Sequence, residues 1–179
     1  CPFVLVEERV KSPKVACIRA DDRSGAEAAV AFLRAQGHDR IAFLATDRPW
    51  PAVEERLAGY NAAMRAGGRR WSRVWRVDHE TFEDARETTE VVLRRDPSVT
   101  ALLCANDVLA VGALQAARRL GRAVPSDFAI VGFDDFEFAR FVDPPLTTVA
   151  LPGYEMGGKA AELLLGYFKD GAFSSLDVV

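Results

Sequence analysis

Arg56, Asn106 and Asp134 are the residues whose types and surroundings fit recognition of a small polar molecule. A planar guanidinium, an amide and a carboxylate together offer donors and acceptors for vicinal hydroxyls, and an arginine can also clamp a carboxylate or phosphate through two parallel bonds. Trp50, flanked by Pro49 and Pro51, and Phe82 could each cover the apolar face of a sugar. Each residue also has a plainer reading. Asn106 or Asp107 caps the helix that starts near Val108, with Asp107 favoured for that role; such a cap stabilises by roughly 1 kcal/mol. Asp134 and Asp135 can close a loop, Arg56 can pair with a neighbouring glutamate on a helix surface, and Trp50 can shield the core. Asp21-Asp22 precedes a helix at Ser24, where capping is the favoured role.

Catalytic signatures are missing. The chain has no G-x-S-x-G elbow, no complete phosphate-binding Walker loop, no G-x-G-x-x-G and no H-E-x-x-H. His38 and His79 sit in polar turns without the nucleophile and carboxylate that a triad needs. The acidic run Asp134, Asp135, Glu137 lacks the phosphate-cradling loop that accompanies Mg²⁺. The expectation is a binding module with no metal and no cofactor, not an enzyme.

The elements that must position these residues alternate along the chain. Short apolar runs at 3–7, 15–19, 41–45, 73–77, 101–105, 128–133 and 147–150 predict strands. Helical spacing predicts helices over 24–36, 53–65, 83–95, 107–120 and 154–168, with Gly37, Gly67-Gly68 and Gly121 as stop signals. Strand and helix in alternation imply an α/β fold with doubly wound parallel sheets. In such sheets ligands lie outside the carboxyl ends of the strands, where Asn106 and Asp134 are expected.

The segments CANDVLAVGAL, GRAVPSDFAIVGFDD, PPLTTVALP and MGGKAAELLL follow one another in that order, with RADDRSGAEAAVAFLRAQGHDRIAFLA and EERLAGYNAAM upstream. From about Cys1 to about Phe168 the chain thereby resembles the effector-binding core of the LacI/GalR (lactose-repressor) family of bacterial transcription regulators. The resemblance implies a two-lobed, periplasmic-binding-protein-like (type I) fold whose amino-terminal lobe is incomplete here. Residues 1–39 and 150–173 would belong to that lobe and 40–149 to the carboxyl-terminal lobe. It places effector contacts at Arg56, in the R-x-x-G-Y segment, and at Asn106 and Asp134, with an aromatic near Phe82. It also implies a sugar or sugar derivative as effector, a homodimer, and operator DNA bound through an amino-terminal helix-turn-helix domain that this chain does not include.

Composition agrees with a globular sensor. The 179 residues are 49% hydrophobic and 27% charged, enough to bury a sizeable core. A net charge of −3, with Arg69-Arg70, Arg94-Arg95 and Arg118-Arg119 scattered, argues against this chain gripping DNA by itself. Cys1, Cys17 and Cys104 read as reduced residues, which with the absence of an apolar span or secretory signal predicts a cytoplasmic location and no membrane contact. The rival reading is a sugar-binding protein of an ABC transport system with the same fold. A signal peptide upstream would favour that rival, and a helix-turn-helix the regulator.

Overall fold

In the computed structural model, which describes residues 1–66 and 71–179, the strands form two sheets with every pairing parallel. The smaller contains β1 (Phe3–Val6), β2 (Val15–Ile18) and β8 (Asp177–Val178), in the order β1-β2-β8. The larger contains β3 (Ile41–Thr46), β4 (Arg73–Val77), β5 (Ala101–Cys104), β6 (Ala129–Asp134) and β7 (Thr147–Ala150), in the order β4-β3-β5-β6-β7. From β3 the chain steps outward to β4, then returns to add β5, β6 and β7 on the other side. The winding therefore reverses between β3 and β5, and a crevice opens beyond their carboxyl ends.

Right-handed crossovers running in opposite directions put helices on opposite faces. α1 (Asp22–Ala35) packs with α2 (Pro51–Ala66), and α3 (Phe82–Arg95) with α4 (Asp107–Arg119). Gly67-Gly68 and Arg69-Arg70 lie outside the described residues. β3 is buried along its whole length, and Phe43, Leu44, Leu102, Leu103, Val131 and Phe133 fill the space between the helix layers. Tyr60 on α2 donates its hydroxyl to the Ile41 carbonyl at 2.7 Å and accepts from the Arg73 amide at 3.2 Å, tying the helix to two strands. α5 (Gly153–Asp170) covers the smaller sheet, with Met156 and Leu163 against Ala16 and Ile18.

This arrangement moves one expected boundary. The resemblance puts residues 1–39 in the amino-terminal lobe, yet Ala26, Ala29, Val30 and Leu33 of α1 are buried in the core of the larger sheet. The chain thus leaves the small sheet near Ala20, and Asp22 already belongs to the large unit. At the return, β7 ends at Ala150 and α5 begins at Gly153. The strand Asp177–Val178 pairs with β2, although only two residues and a charged neighbour mark it in the sequence.

Both helix pairs close on a glycine. A β-carbon on Gly59 would meet the Arg23 carbonyl oxygen at 2.2 Å, and one on Gly112 the Phe82 carbonyl oxygen at 2.4 Å. Backbone, not a flexible side chain, blocks each position, so the helices must part to admit a methyl group. Gly59→Ala and Gly112→Ala should each cost about 1–3 kcal/mol, seen as a lower urea midpoint at unchanged slope. An unchanged midpoint would contradict the close approach.

Candidate functional site

A cavity of about 830 Å³ lies outside the carboxyl ends of the large-sheet strands and extends to the small sheet. The large unit supplies Arg48, Trp50 and Arg56 after β3, His79 to Thr81 after β4, Asp134 at the end of β6 and Phe136 just past it. The small unit supplies Val6, Glu7 and Glu8 at the end of β1, and the returning segment supplies Leu151 and Gly153. Strand-end residues converge here because within each sheet every strand is parallel, so that sheet's carboxyl ends lie along one edge.

Arg56 forms the floor. It stands early in α2 and is 4% exposed. Its Nε donates to Asp22 Oδ1 at 2.7 Å and its Nη1 to the Ala105 carbonyl at 2.5 Å. Nη1 also lies 2.9 Å from Asp134 Oδ1, while the guanidinium carbon sits 3.9 Å from the centre of the Phe133 ring. A buried guanidinium needs such carboxylates, and the ring adds a cation–π contact. Asp134 Oδ1 is off the line of any N–H and takes no hydrogen bond among the described residues.

Two strand ends approach the cavity in a left-handed conformation. Asp134 has φ +101° and Asp135 φ +57°, and Glu7 at the end of β1 has φ +61°. Side chains rarely adopt this backbone, and when they do the surrounding structure holds them there. Burial pushes the Asp134 carboxyl above the ordinary aspartate range, against the pull of Arg56. Burial likewise raises Glu7, and the nearby Asp22 carboxyl adds to the rise. Glu7 Oε1 accepts from the Ala20 amide at 2.7 Å, whereas its buried Oε2 has no hydrogen-bond partner among the described residues.

The structure brings together Arg56, Asp134 and Trp50, the last 45% exposed at the rim. It separates the other two. Asn106, not Asp107, is the cap of α4, accepting from the Leu109 amide at 3.0 Å, and it does not line the cavity. Asp107, expected to cap, is instead the first helical residue and fully buried, holding the β6 and β7 ends through the Phe136 amide at 2.8 Å and the Thr148 hydroxyl at 2.6 Å. The roles exchange because Asp107 is the first helical residue, one before the Val108 start on which the capping reading rested. Phe82 lies outside the cavity and packs edge-on against Phe138, ring centres 5.8 Å apart; Phe136 joins Trp50 in lining it. Of the acidic pair before α1, Asp21 caps the helix at Ser24 as expected, and Asp22 turns inward to Arg56.

Sequence reasoning missed Asp22 and Glu7 as site residues. Glu7-Glu8 directly after an apolar strand carried the same strand-end signal that singled out Asp134. His79 lines the cavity with Nδ1 2.9 Å from Asp84 Oδ2, leaving its other ring nitrogen unengaged by that contact. Among these residues a guanidinium, carboxylates and aromatic surfaces suit hydroxyl recognition, and none is paired as nucleophile and base.

A family model described as a periplasmic binding protein-like domain matches residues 30–174. The HTH-type transcriptional repressor CytR of Escherichia coli is 37% identical over 165 residues, which cover 92% of this chain and 48% of CytR. The chain spans about half the length of the curated relatives it matches. The crystal structure of a LacI-family regulatory protein from Chloroflexus aggregans superposes at TM-score 0.87 with 32% identity, over 99% of this chain and 64% of the other. A LacI-family transcriptional regulator from Arthrobacter sp. FB24, solved in complex with lactose, superposes at 0.87 with 29% identity, over 99% and 66%. Sheet order, strand-end cavity and these matches agree: the chain belongs to the periplasmic-binding-protein-like domain family, in the form carried by LacI/GalR-type regulators.

Proposed function

We propose that this chain is the effector-sensing core of a transcriptional regulator. A small hydroxyl-bearing effector, a sugar or sugar derivative, binds in the cavity between the two sheets and biases the equilibrium between their relative positions. That shift alters operator affinity through a DNA-binding helix-turn-helix elsewhere in the whole protein. The observation that carries this reading is the buried Arg56 between Asp22 and Asp134, on the floor of a cavity that both sheets line. Repressor relatives and the lactose-bound neighbour support it over a transport receptor, and they fit a protein of the cytoplasm. No described helix is long and apolar enough to cross a membrane.

A homodimer suits a palindromic operator. The exposed aromatic Phe141, 75% exposed, offers an apolar surface for one. α4 has little apolar surface to contribute, because residues from Asp107 to Ala117 are mostly buried within the fold.

A ligand raises apparent stability by about 2.7 kcal/mol at a hundredfold excess over its Kd. A thermal-shift screen of sugars, sugar phosphates and nucleosides should find such a ligand. Arg56→Ala should abolish the shift while also lowering the melting point of the free protein, since it strands two carboxylates. Trp50→Ala, at the exposed rim, should leave the free protein's melting point unchanged and weaken binding about three- to tenfold, matching an aromatic contact of roughly 0.5–1.5 kcal/mol. A shift that survives both substitutions would overturn the site.

Binding should also depend on pH. The ionised carboxylate of Asp134 is the better acceptor for a ligand hydroxyl, and burial makes it take up its proton at higher pH than the ordinary aspartate value of 3.8. Affinity is therefore expected to fall on acidification, beginning above that value. The contribution of Asp134 to stability has the opposite sign, being fully present below its unfolded pKa and lost as pH rises through the raised folded one. Calorimetric titrations between neutral and mildly acid pH check this, and affinity that rises on acidification would contradict it.

A further inference from the structure

The segment between β1 and β2 faces two cavities. Glu7 and Glu8, at its start, line the strand-end cavity already described, whereas residues 9–13 line a second one of about 1010 Å³. Its floor is the far face of the small sheet. Ala16 and Ile18 pack under α5, so strand alternation turns Cys17 the other way. There the Cys17 Sγ accepts from the Val10 amide at 3.4 Å and donates to the Val10 carbonyl at 3.7 Å, pinning the segment across the sheet. Just past β2, Arg19 donates from Nε and Nη2 to Asp177 Oδ1 at 3.2 and 2.9 Å, and from Nη2 to Oδ2 at 2.9 Å. That guanidinium is thereby fixed in the cavity wall with Nη1 unengaged by any described residue.

The charges around this second cavity do not balance. Arg9, Lys11 and Arg19 line it against the single carboxylate of Asp177, on a chain whose net charge is −3. Lys11 has no ion pair among the described residues. Arg9 reaches away from the small sheet, its Nη2 2.5 Å from Glu55 Oε1 on α2, and so joins the small unit to the large one. Cations gathered on one wall repel one another, and an anion placed among them relieves that repulsion. Val10, Pro13 and Leu176 add an apolar surface beside the charges. We propose that this second cavity binds a small organic anion, a carboxylate or phosphate carried on an apolar body, and that the anion competes with Glu55 for Arg9. Arg19 Nη1, Lys11 and Arg9 supply the donors, and the apolar wall meets the body of the ligand. Occupation then releases one tie between the two units. The site stands independently of what the strand-end cavity binds.

Calorimetric titration of the full chain with phenyl phosphate and benzoate, beside inorganic phosphate, tests the proposal. The two organic anions should bind saturably, with inorganic phosphate about tenfold weaker than phenyl phosphate because it buries no ring. Lys11→Ala should weaken phenyl phosphate about threefold and Arg9→Ala about tenfold, the larger loss matching the charge-assisted bonds of a guanidinium. Glu55→Gln frees Arg9 and should tighten binding about two- to fivefold, the worth of an exposed ion pair. Glu54→Gln removes the same charge from the same helix without freeing Arg9, and should leave the affinity unchanged. Absence of saturable binding by both organic probes overturns the site, as does binding that Arg9→Ala and Lys11→Ala leave intact. Loss of binding in Trp50→Ala but not in Arg9→Ala puts the probe in the strand-end cavity and overturns it too. Equal effects of Glu55→Gln and Glu54→Gln overturn the competition for Arg9. Circular dichroism melts confirm that the variants fold.

Discussion

One buried guanidinium organises this molecule. Arg56 cannot be left in the interior without counter-charge, because an isolated ion there is strongly unfavourable. The residues that satisfy it come from four places: Asp22 at the start of α1, the Ala105 carbonyl past the end of β5, Asp134 at the end of β6, and the Phe133 ring beside it. The two helices of one layer and the ends of two central strands are therefore fixed to a common point. That point is also the floor of the cavity, so the group that holds the strand ends in register also faces the space proposed for the effector. Substituting either partner carboxylate leaves the other to balance the charge alone, which makes the cluster a unit and not a sum of pairs.

The remaining architecture serves to bring Arg56 to that position. Reversal of the winding between β3 and β5 opens the crevice, and the close approach at Gly59 lets α1 lie near enough to α2 for Asp22 to reach Arg56. Asp107 does for β6 and β7 what Arg56 does for β5 and β6, joining neighbouring strand ends through a buried side chain. The left-handed residues Asp134 and Asp135 sit directly between these two anchors. Backbone strain at these residues, and at Glu7 on the opposite wall, is held in place by packed and hydrogen-bonded neighbours.

The larger elements were legible in the sequence because each carries its own period. Fully apolar runs such as Ile41–Thr46 read as buried parallel strands, and the strand-end rule then picked out Asp134, which lines the cavity, and Asn106, which does not; Arg56 and Trp50, singled out by their side-chain chemistry, line it as well. What was hidden depends on details that periodicity does not encode. Whether Asn106 or Asp107 caps α4 turns on a one-residue shift of the helix start, and the two side chains are close chemical relatives. Asp22 looked like half of a capping pair until the fold brought α2 across α1. Phe82 and Phe136 are both aromatics near strand ends, and their separation depends on how α3 packs against the turn after β6. The assignment of α1 to the larger unit rests on contacts between residues far apart in the chain, and Asp177–Val178 is too short to announce itself.

The measurement that bears most directly on this account is a crystal structure of the protein with the ligand that gives the largest thermal shift. The account predicts electron density between the two sheets, with ligand hydroxyls within hydrogen-bond distance of Arg56 and Asp134 and the Arg56–Asp22 contact preserved. A ligand seated elsewhere on the fold, or one that displaces Asp22 from the guanidinium, would contradict it.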